Sequence, residues 1–347
     1  MASEPSEITV LVTGASGFIA MHCILQLLEQ GYRVRGTLRT PSREAKLRQT
    51  FAKHTNADDK LEFVTTDLTK DEGWDDAAKD CRYILHVASP FPSQEPKHED
   101  ELIVPAVDGT LRVLKAAVGA GVKRVVLTSS LAAVLYGHPR DGSKVFDEND
   151  WSRTDKNIGA YQKSKTLAER AAWDFVNGLG SDNKLELAVI NPGSVFGPIL
   201  DEDYGTSGEV VRRLMRREIP GCPNLGWAPV DVRDVAAAHL AAMTIPEAAG
   251  ERFCCALDHH AWIYDIAQIL NKHFASRGYK IPTRKLPDFL IRLVALFDKT
   301  VRSRVNNLGE RSDISNAHIK KILNWQPRSL EEMVVAMGES MIEHGVV

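Results

Sequence analysis

The chain is short of the features that mark several large protein classes. It has five cysteines among 347 residues (Cys23, Cys81, Cys222, Cys254 and Cys255), odd in number and without the spacing of a metal site. That pattern favours buried free thiols in a reducing compartment over a disulfide framework. Adjacent Cys254 and Cys255 are predicted in a strand, where they would face opposite sides. Charge of neither sign dominates: 43 basic residues stand against 46 acidic ones, a net charge of -3. No basic footprint for nucleic acid or an anionic membrane surface follows from that balance. Long apolar runs are missing too, since Phe289 to Phe297 is interrupted by Arg292 and too short to span a bilayer. Met1 to Glu7 is polar with no apolar stretch behind a basic start, and Glu343-His344-Gly345-Val346-Val347 carries no lipidation or retention signal. A cytoplasmic protein is expected.

What is present fits a globular chain, with 44% hydrophobic and 26% charged residues. Its most informative stretch is Val10 to Ala20. Ile8-Thr9-Val10-Leu11-Val12 reads as a buried strand; it breaks at Gly14, and Phe18, Met21, Leu25 and Leu28 then recur at helical spacing. Strand, glycine turn and helix open a dinucleotide-binding βαβ unit. The glycines let the backbone turn tightly and approach a pyrophosphate, which the helix N-terminus faces with its free N–H groups. Here the order is Gly14-x-x-Gly17-x-x-Ala20, with Ala20 as the small residue where helix and sheet pack closely.

Further strands are predicted at Tyr32–Leu38, Glu62–Leu68, Tyr83–Ala88, Lys123–Thr128 and Leu187–Ile190, with helices over Trp74–Lys79 and Asp100–Ala120 between them. This alternation predicts an α/β, Rossmann-type doubly wound parallel sheet. The residue after the second strand selects the cofactor: a carboxylate suits NAD and a basic residue the extra phosphate of NADP. Arg39 stands there, with Arg43 and Lys46 following, so NADP(H) is expected. His86, inside an apolar strand, reads as a packed core histidine. Beyond Pro192 the rhythm turns irregular and then helical (232–244, 264–274, 288–297 and 330–342). Two units are expected, a cofactor-binding domain over 1–192 and a smaller, mostly helical substrate lobe over 193–347, the latter free to return strands or helices to the first.

Two features carry chemistry. Thr128-Ser129-Ser130 ends the fifth strand, and Tyr161 to Lys165 opens an amphipathic helix. Tyr161 and Lys165, four residues apart, share a helix face. Carbonyl reduction needs a hydride donor and a proton donor to the nascent alkoxide. A phenol near pKa ~10 is a poor acid at neutral pH. An ammonium about 4 Å away, at an effective dielectric of ~20, is expected to lower it by roughly three pKa units before desolvation opposes the effect. A neighbouring serine hydroxyl can stabilise the developing charge.

Taken together, Thr13-Gly14-x-x-Gly17-x-x-Ala20, the Thr128-Ser129-Ser130 strand end, Tyr161-x-x-x-Lys165 and Asn191-Pro192-Gly193-x-Val195-x-Gly197-Pro198 resemble the extended short-chain dehydrogenase/reductase family. Arg39 with Lys46, His86-Val87-Ala88-Ser89-Pro90 and Ser164-Lys165-Thr166-Leu167-Ala168-Glu169 are similar to its dihydroflavonol 4-reductase-like branch. The resemblance implies Tyr161 as acid/base, Lys165 as its partner and ribose contact, and Ser130 orienting the carbonyl, with Ser129 the fallback. It also implies cofactor contacts from Gly14, Ala15, Ser16, Gly17, Phe18, Ile19, Arg39, Lys46, Asp67, Leu68, Val87, Ala88, Ser89, Pro192, Val195 and Ser207. No metal is implied.

Two departures shape the substrate expectation. Leu135 stands where flavonoid reductases carry an asparagine, and Lys156-Asn157-Ile158-Gly159-Ala160 replaces the cinnamoyl-CoA reductase signature. The expected partner is a small carbonyl or alcohol, an apolar ketone or aldehyde, with Phe91, Leu135, Tyr136, Ile199, Tyr204 and Trp227 as pocket-wall candidates. A sugar-nucleotide epimerase or dehydratase and a non-catalytic NADP-sensing protein are the alternatives, and both monomer and homodimer stay open.

Overall fold

A computed structural model describes residues 4–56, 58–90, 96–180, 183–297 and 305–347. Seven strands build the main sheet: β1 (Thr9–Val12), β2 (Arg33–Leu38), β3 (Leu61–Thr65), β4 (Tyr83–His86), β5 (Arg124–Thr128), β7 (Glu186–Pro192) and β11 (Arg252–Cys255), while β6 (Asp141–Phe146) lies outside it. Their spatial order is β3-β2-β1-β4-β5-β7-β11, and every pairing is parallel. A parallel sheet is covered on both faces, which is why its strands read as apolar runs. Val10, Leu11, Val12, Ile84, Val125, Val126 and Ile190 are fully buried.

Helices α1 (Phe18–Glu29) and α7 (Val232–Thr244) cover one face, with the helix Ala317–Leu323 beside them. The other face carries α3 (Trp74–Ala78), α4 (Asp100–Gly119) and α5 (Ala160–Asn177). α2 (Glu44–Ala52) follows β2, and its Leu47 and Phe51 join the first face. After β7 the chain adds β8 (Ser194–Phe196) and α6 (Gly205–Met215), then β9 (Gly226–Trp227) and β10 (Pro229–Asp231), which pairs with β8. β12 (Ala261–Trp262) pairs with β9, and α8 (Ile263–Phe274), α6 and the helix Leu330–Glu343 pack around Phe196, Leu214, Leu270 and Met337. α9 (Asp288–Val294) follows, and β13 (Arg311–Ile314) pairs with β6.

The strand at 252–255 returns to the main sheet beside β7, and its two cysteines enter different apolar clusters on either side. All five cysteines are free and buried. The third strand stops at Thr65, short of the expected Leu68, because Asp67 Oδ1 accepts from the N–H and hydroxyl of Thr69 at 2.9 and 2.8 Å and turns the chain. β1 divides the order of connection, with β2 and β3 on one side and β4 on the other. Ligands of open α/β sheets bind at the carboxyl ends of the strands beside such a switch point. Among the described residues no helix is long and apolar enough to cross a membrane.

Candidate active site

The turn after β1 is shaped by contacts that its side chains could not make elsewhere. Gly14 has φ +69°, and a Cβ there would meet Ala88 Cβ at 3.0 Å, so both the backbone and the space call for glycine. Its N–H donates to Thr37 Oγ1 at 3.0 Å, and the Ala15 N–H donates to the Thr37 carbonyl at 2.9 Å, which ties the turn to β2. Thr13 Oγ1 accepts from the Ala88 N–H at 3.0 Å and lies 2.8 Å from His86 Nδ1. The strand ends of β1 and β4 are thereby locked together. His86 is buried and neutral, its ring pulled down to about 3 by desolvation, in keeping with a core histidine. Gly17 caps α1, so the first-turn N–H groups of Phe18 and Ile19 lie at the turn as anion donors.

Arg39 lies exposed just past β2, and its charge, behind the hydrogen bonds from Thr69, helps hold the Asp67 carboxyl low. Arg43 reaches the glycine turn itself, donating to Ser16 Oγ at 3.1 Å, with Asp201 at 3.8 Å on its other side. Lys46 sits farther out, 3.4 Å from Glu202. Of the two expected followers of Arg39, Arg43 is thus the one beside the turn. Leu68, Ala88 and Ser89 line one cleft together with Thr128, Ser129 and Lys165. Val87 is half-buried and packs against the apolar cluster on the α1 face. Pro192 ends β7, Val195 lies in β8, and Ser207 stands in the first turn of α6, whose Gly205 packs on Phe18. Of the residues expected around a dinucleotide, Leu68, Ala88, Ser89 and Lys165 share that cleft, Gly14 packs against Ala88 and Arg43 bonds Ser16 in the glycine turn, and the donor set of amides and cations fits an anionic cofactor.

Across that crevice, Gly159 with φ +92° starts α5 and presents Tyr161 and Lys165 one turn apart. Ser130 caps the short turn after β5, its Oγ accepting from the Ala132 N–H at 3.1 Å, and its side chain stands beside the Tyr161 phenol. Ser129 donates to Glu169 Oε2 at 2.5 Å. Lys165 Nζ donates to the Thr128 carbonyl at 3.5 Å.

The electrostatics correct one expectation. Tyr161 is not acidified: burial pushes its phenol above the ordinary value, outweighing the Ser130 hydrogen bond, and nearby Tyr136 adds to the rise. Lys165 is itself pulled down to about 8 by burial, with Glu169 opposing the fall. Removal from water acts on both groups, so the ammonium does not dominate the phenol.

Residues 10–256 match the profile of the NAD dependent epimerase/dehydratase family. The chain belongs to that family, the extended short-chain dehydrogenases/reductases. It is 36% identical over 281 residues to cinnamoyl-CoA reductase CAD2 of Medicago truncatula, covering 80% of this chain and 84% of that one. It is 34% identical over 346 residues to the NADPH-dependent methylglyoxal reductase GRE2 of Saccharomyces cerevisiae, covering 94% and 96%. The structure of yeast methylglyoxal/isovaleraldehyde reductase Gre2 complexed with NADPH superposes with a TM-score of 0.81 at 30% identity, over 98% of this chain and 100% of that one.

In this family member the pocket-wall candidates divide. Leu135 and Ile199 are buried in interior clusters, at 7% and 2% exposure, and pack rather than line. Tyr136, Tyr204 and Trp227 are half-buried, with Tyr136 under the Arg140 guanidinium at 4.3 Å, and Phe91 lies outside the described residues. Sequence reasoning missed the surroundings of Glu169, which Ser129, Asn191 and Arg252 all reach. The one available signal was spacing, because Glu169 continues the four-residue step from Tyr161 through Lys165.

Proposed function

We propose that this NADPH-dependent oxidoreductase reduces the carbonyl of a small apolar ketone or aldehyde to the alcohol, reversibly. The observation that carries the reading is the placement of Tyr161 beside Ser130 with Lys165 one turn along α5, where Lys165 lines the cleft with Ala88 and Ser89 at the sheet's carboxyl edge. Gly14 to Ile19, Val87 to Ser89, Leu68, Pro192, Val195 and Ser207 would hold the dinucleotide, with Arg39, Arg43 and Lys46 toward its extra phosphate and Asp67 toward the adenosine. Bound NADPH supplies the hydride. Ser130 donates a hydrogen bond to the substrate oxygen, and Tyr161 gives that oxygen a proton. The raised pKa of Tyr161 suits this direction, because the phenol stays protonated at neutral pH and so has a proton to give. Lys165 replaces lost solvation as negative charge develops on the phenol oxygen.

Residues 1–192 carry most of the cofactor side in this reading, and 193–347 shape the substrate side while lending Val195 and Ser207 to the cofactor. Five reduced, buried thiols support a cytoplasmic setting. A panel of ketones and aldehydes, run with NADPH and with NADH, tests the reading. One NADPH consumed for each alcohol formed is expected. Turnover of a sugar nucleotide with no net NADPH consumption would replace it with an epimerase, and NADPH binding without any turnover would leave a sensor.

A further inference from the structure

Helix α5 carries a third polar side chain in line with Tyr161 and Lys165. Glu169 lies one turn beyond Lys165 and is only 1% exposed. A carboxylate taken out of water must be paired and hydrogen-bonded. This one is saturated with donors: Ser129 Oγ at 2.5 Å and Asn191 Nδ2 at 2.7 Å on one oxygen, Arg252 Nε at 2.5 Å on the other. Those donors come from the carboxyl end of β5, from β7 and from β11, three adjacent strands. The Asn191 amide also donates to the Ser130 carbonyl at 3.2 Å. Arg252 is fixed in turn, with Nη1 donating to the carbonyls of Glu148 and Asp150 at 2.6 and 3.0 Å and the guanidinium 3.7 Å over the Trp151 ring. One carboxylate thus joins the helix that bears Tyr161 and Lys165 to the strand end that bears Ser130. Well-packed apolar side chains would hold helix to sheet without the desolvation cost of two buried charges, so packing alone does not account for the cluster.

We propose that Glu169 is a positioning residue for the reduction, its carboxylate locking Lys165 and Ser130 into one frame and acting as counter-charge to the Lys165 ammonium. The role deepens the carbonyl-reductase reading above and rests on it. The groups around Lys165 are Tyr161 and Glu169 on its own helix and His86 from β4, with Arg252 of β11 behind Glu169. His86 is neutral and disfavours the ammonium no further, whereas Glu169 favours it. Burial already draws Lys165 down to about 8. Removing the carboxylate charge therefore moves the ammonium's titration to lower pH, and removing the Arg252 charge moves it to higher pH.

The test measures kcat and KM for carbonyl reduction between pH ~6 and ~10, with NADPH affinity by fluorescence titration over the same range, in the wild type, Glu169→Gln, Glu169→Asp and Arg252→Gln. For Glu169→Gln the alkaline limb is expected to move down by about one pH unit, giving roughly ten-fold lower kcat near pH ~9 and a much smaller change near pH ~6. Glu169→Asp should restore part of the limb, and Arg252→Gln should shift it the opposite way. A loss uniform across pH with the limb in place, or no change at all, would overturn the role. Where Glu169→Gln is not recovered folded, the opposite-signed shift in Arg252→Gln decides. Should the wild type bind NADPH yet reduce no carbonyl, the function reading fails, and the pH dependence of NADPH affinity still decides for or against Glu169.

Discussion

Tyr161 sits where two effects compete, and their order determines how the enzyme uses it. Burial keeps the phenol protonated, while the Ser130 hydroxyl pulls the other way. A group arranged like this gives up its proton only when the acceptor is a strong base, as a nascent alkoxide is. Tyr161→Phe keeps the ring and removes the proton. Its turnover is expected to fall by roughly 10²–10⁴ with NADPH affinity preserved, measured by steady-state kinetics alongside a binding titration. Unchanged turnover would remove Tyr161 from the mechanism. Arg39 is a second single-residue question. It lies exposed past β2 with Asp67 as its near carboxylate, so it is available to an incoming phosphate. A charge-assisted hydrogen bond contributes about 1.5–3 kcal/mol. Arg39→Ala should therefore weaken NADPH by roughly ten-fold or more while leaving NADH nearly as it was, and equal losses for both would sink the phosphate assignment.

Elements differ in how much of them the sequence announces, and the reason is range. The glycine turn was legible because its signature is local: Gly14 needs a positive φ, and Gly17 and the start of α1 at Phe18 follow within four residues. α5 was legible through its apolar period. β6 was not, since its first five residues are exposed and leave no alternation to read. The pairing of Glu169 with Arg252 spans 83 residues in the chain and has no local signature. Arg124 belongs to the same hidden class. Set in β5 at 1% exposure, it donates to the carbonyls of Ala242 and Ile245 at 2.7 and 2.6 Å and pairs with Glu186 at 2.7 Å. It satisfies the orphan carbonyls at the end of α7 and complements that helix dipole. Arg124→Met should lower stability by about 2–4 kcal/mol in urea denaturation, with KM for substrate unmoved. A loss under about 1 kcal/mol would mean that water replaces the guanidinium at no great cost.

Taken as one body, the protein is held together at several seams by histidines that must stay neutral. His22 Nε2 donates to the Pro198 carbonyl at 2.8 Å, joining α1 to the chain beyond β8. His239 donates from Nδ1 to the Val235 carbonyl at 2.7 Å and accepts from Thr128 Oγ1 at 2.6 Å, joining α7 to β5. His86 joins β4 to the turn after β1, and His260 packs edge-on to Trp262 at 4.5 Å. Desolvation pulls His22, His239 and His260 down to about 4 and His86 to about 3. An unfolded histidine takes up its proton near pH ~6.5. Below that value the unfolded chain binds more protons than the folded one, so stability is full above pH ~6.5 and drains as pH falls toward ~4. Each such histidine costs about 1.4 kcal/mol for every pH unit in that window. Glu148 and Asp234, whose carboxyls burial pushes up, take up protons in the folded state and offset part of the loss. Against a total stability of about 5–15 kcal/mol, the histidine contribution is large enough to unfold the chain in mild acid. Thermal melts should give a Tm that is flat above pH ~7 and falls steeply between pH ~6.5 and ~5, with the fall made shallower in His22→Gln, whose amide can still donate to the Pro198 carbonyl. A Tm unchanged from pH ~7.5 to ~5 would mean that these rings, once protonated, find acceptor groups or water inside the fold, and that the seams are not held by neutral imidazole.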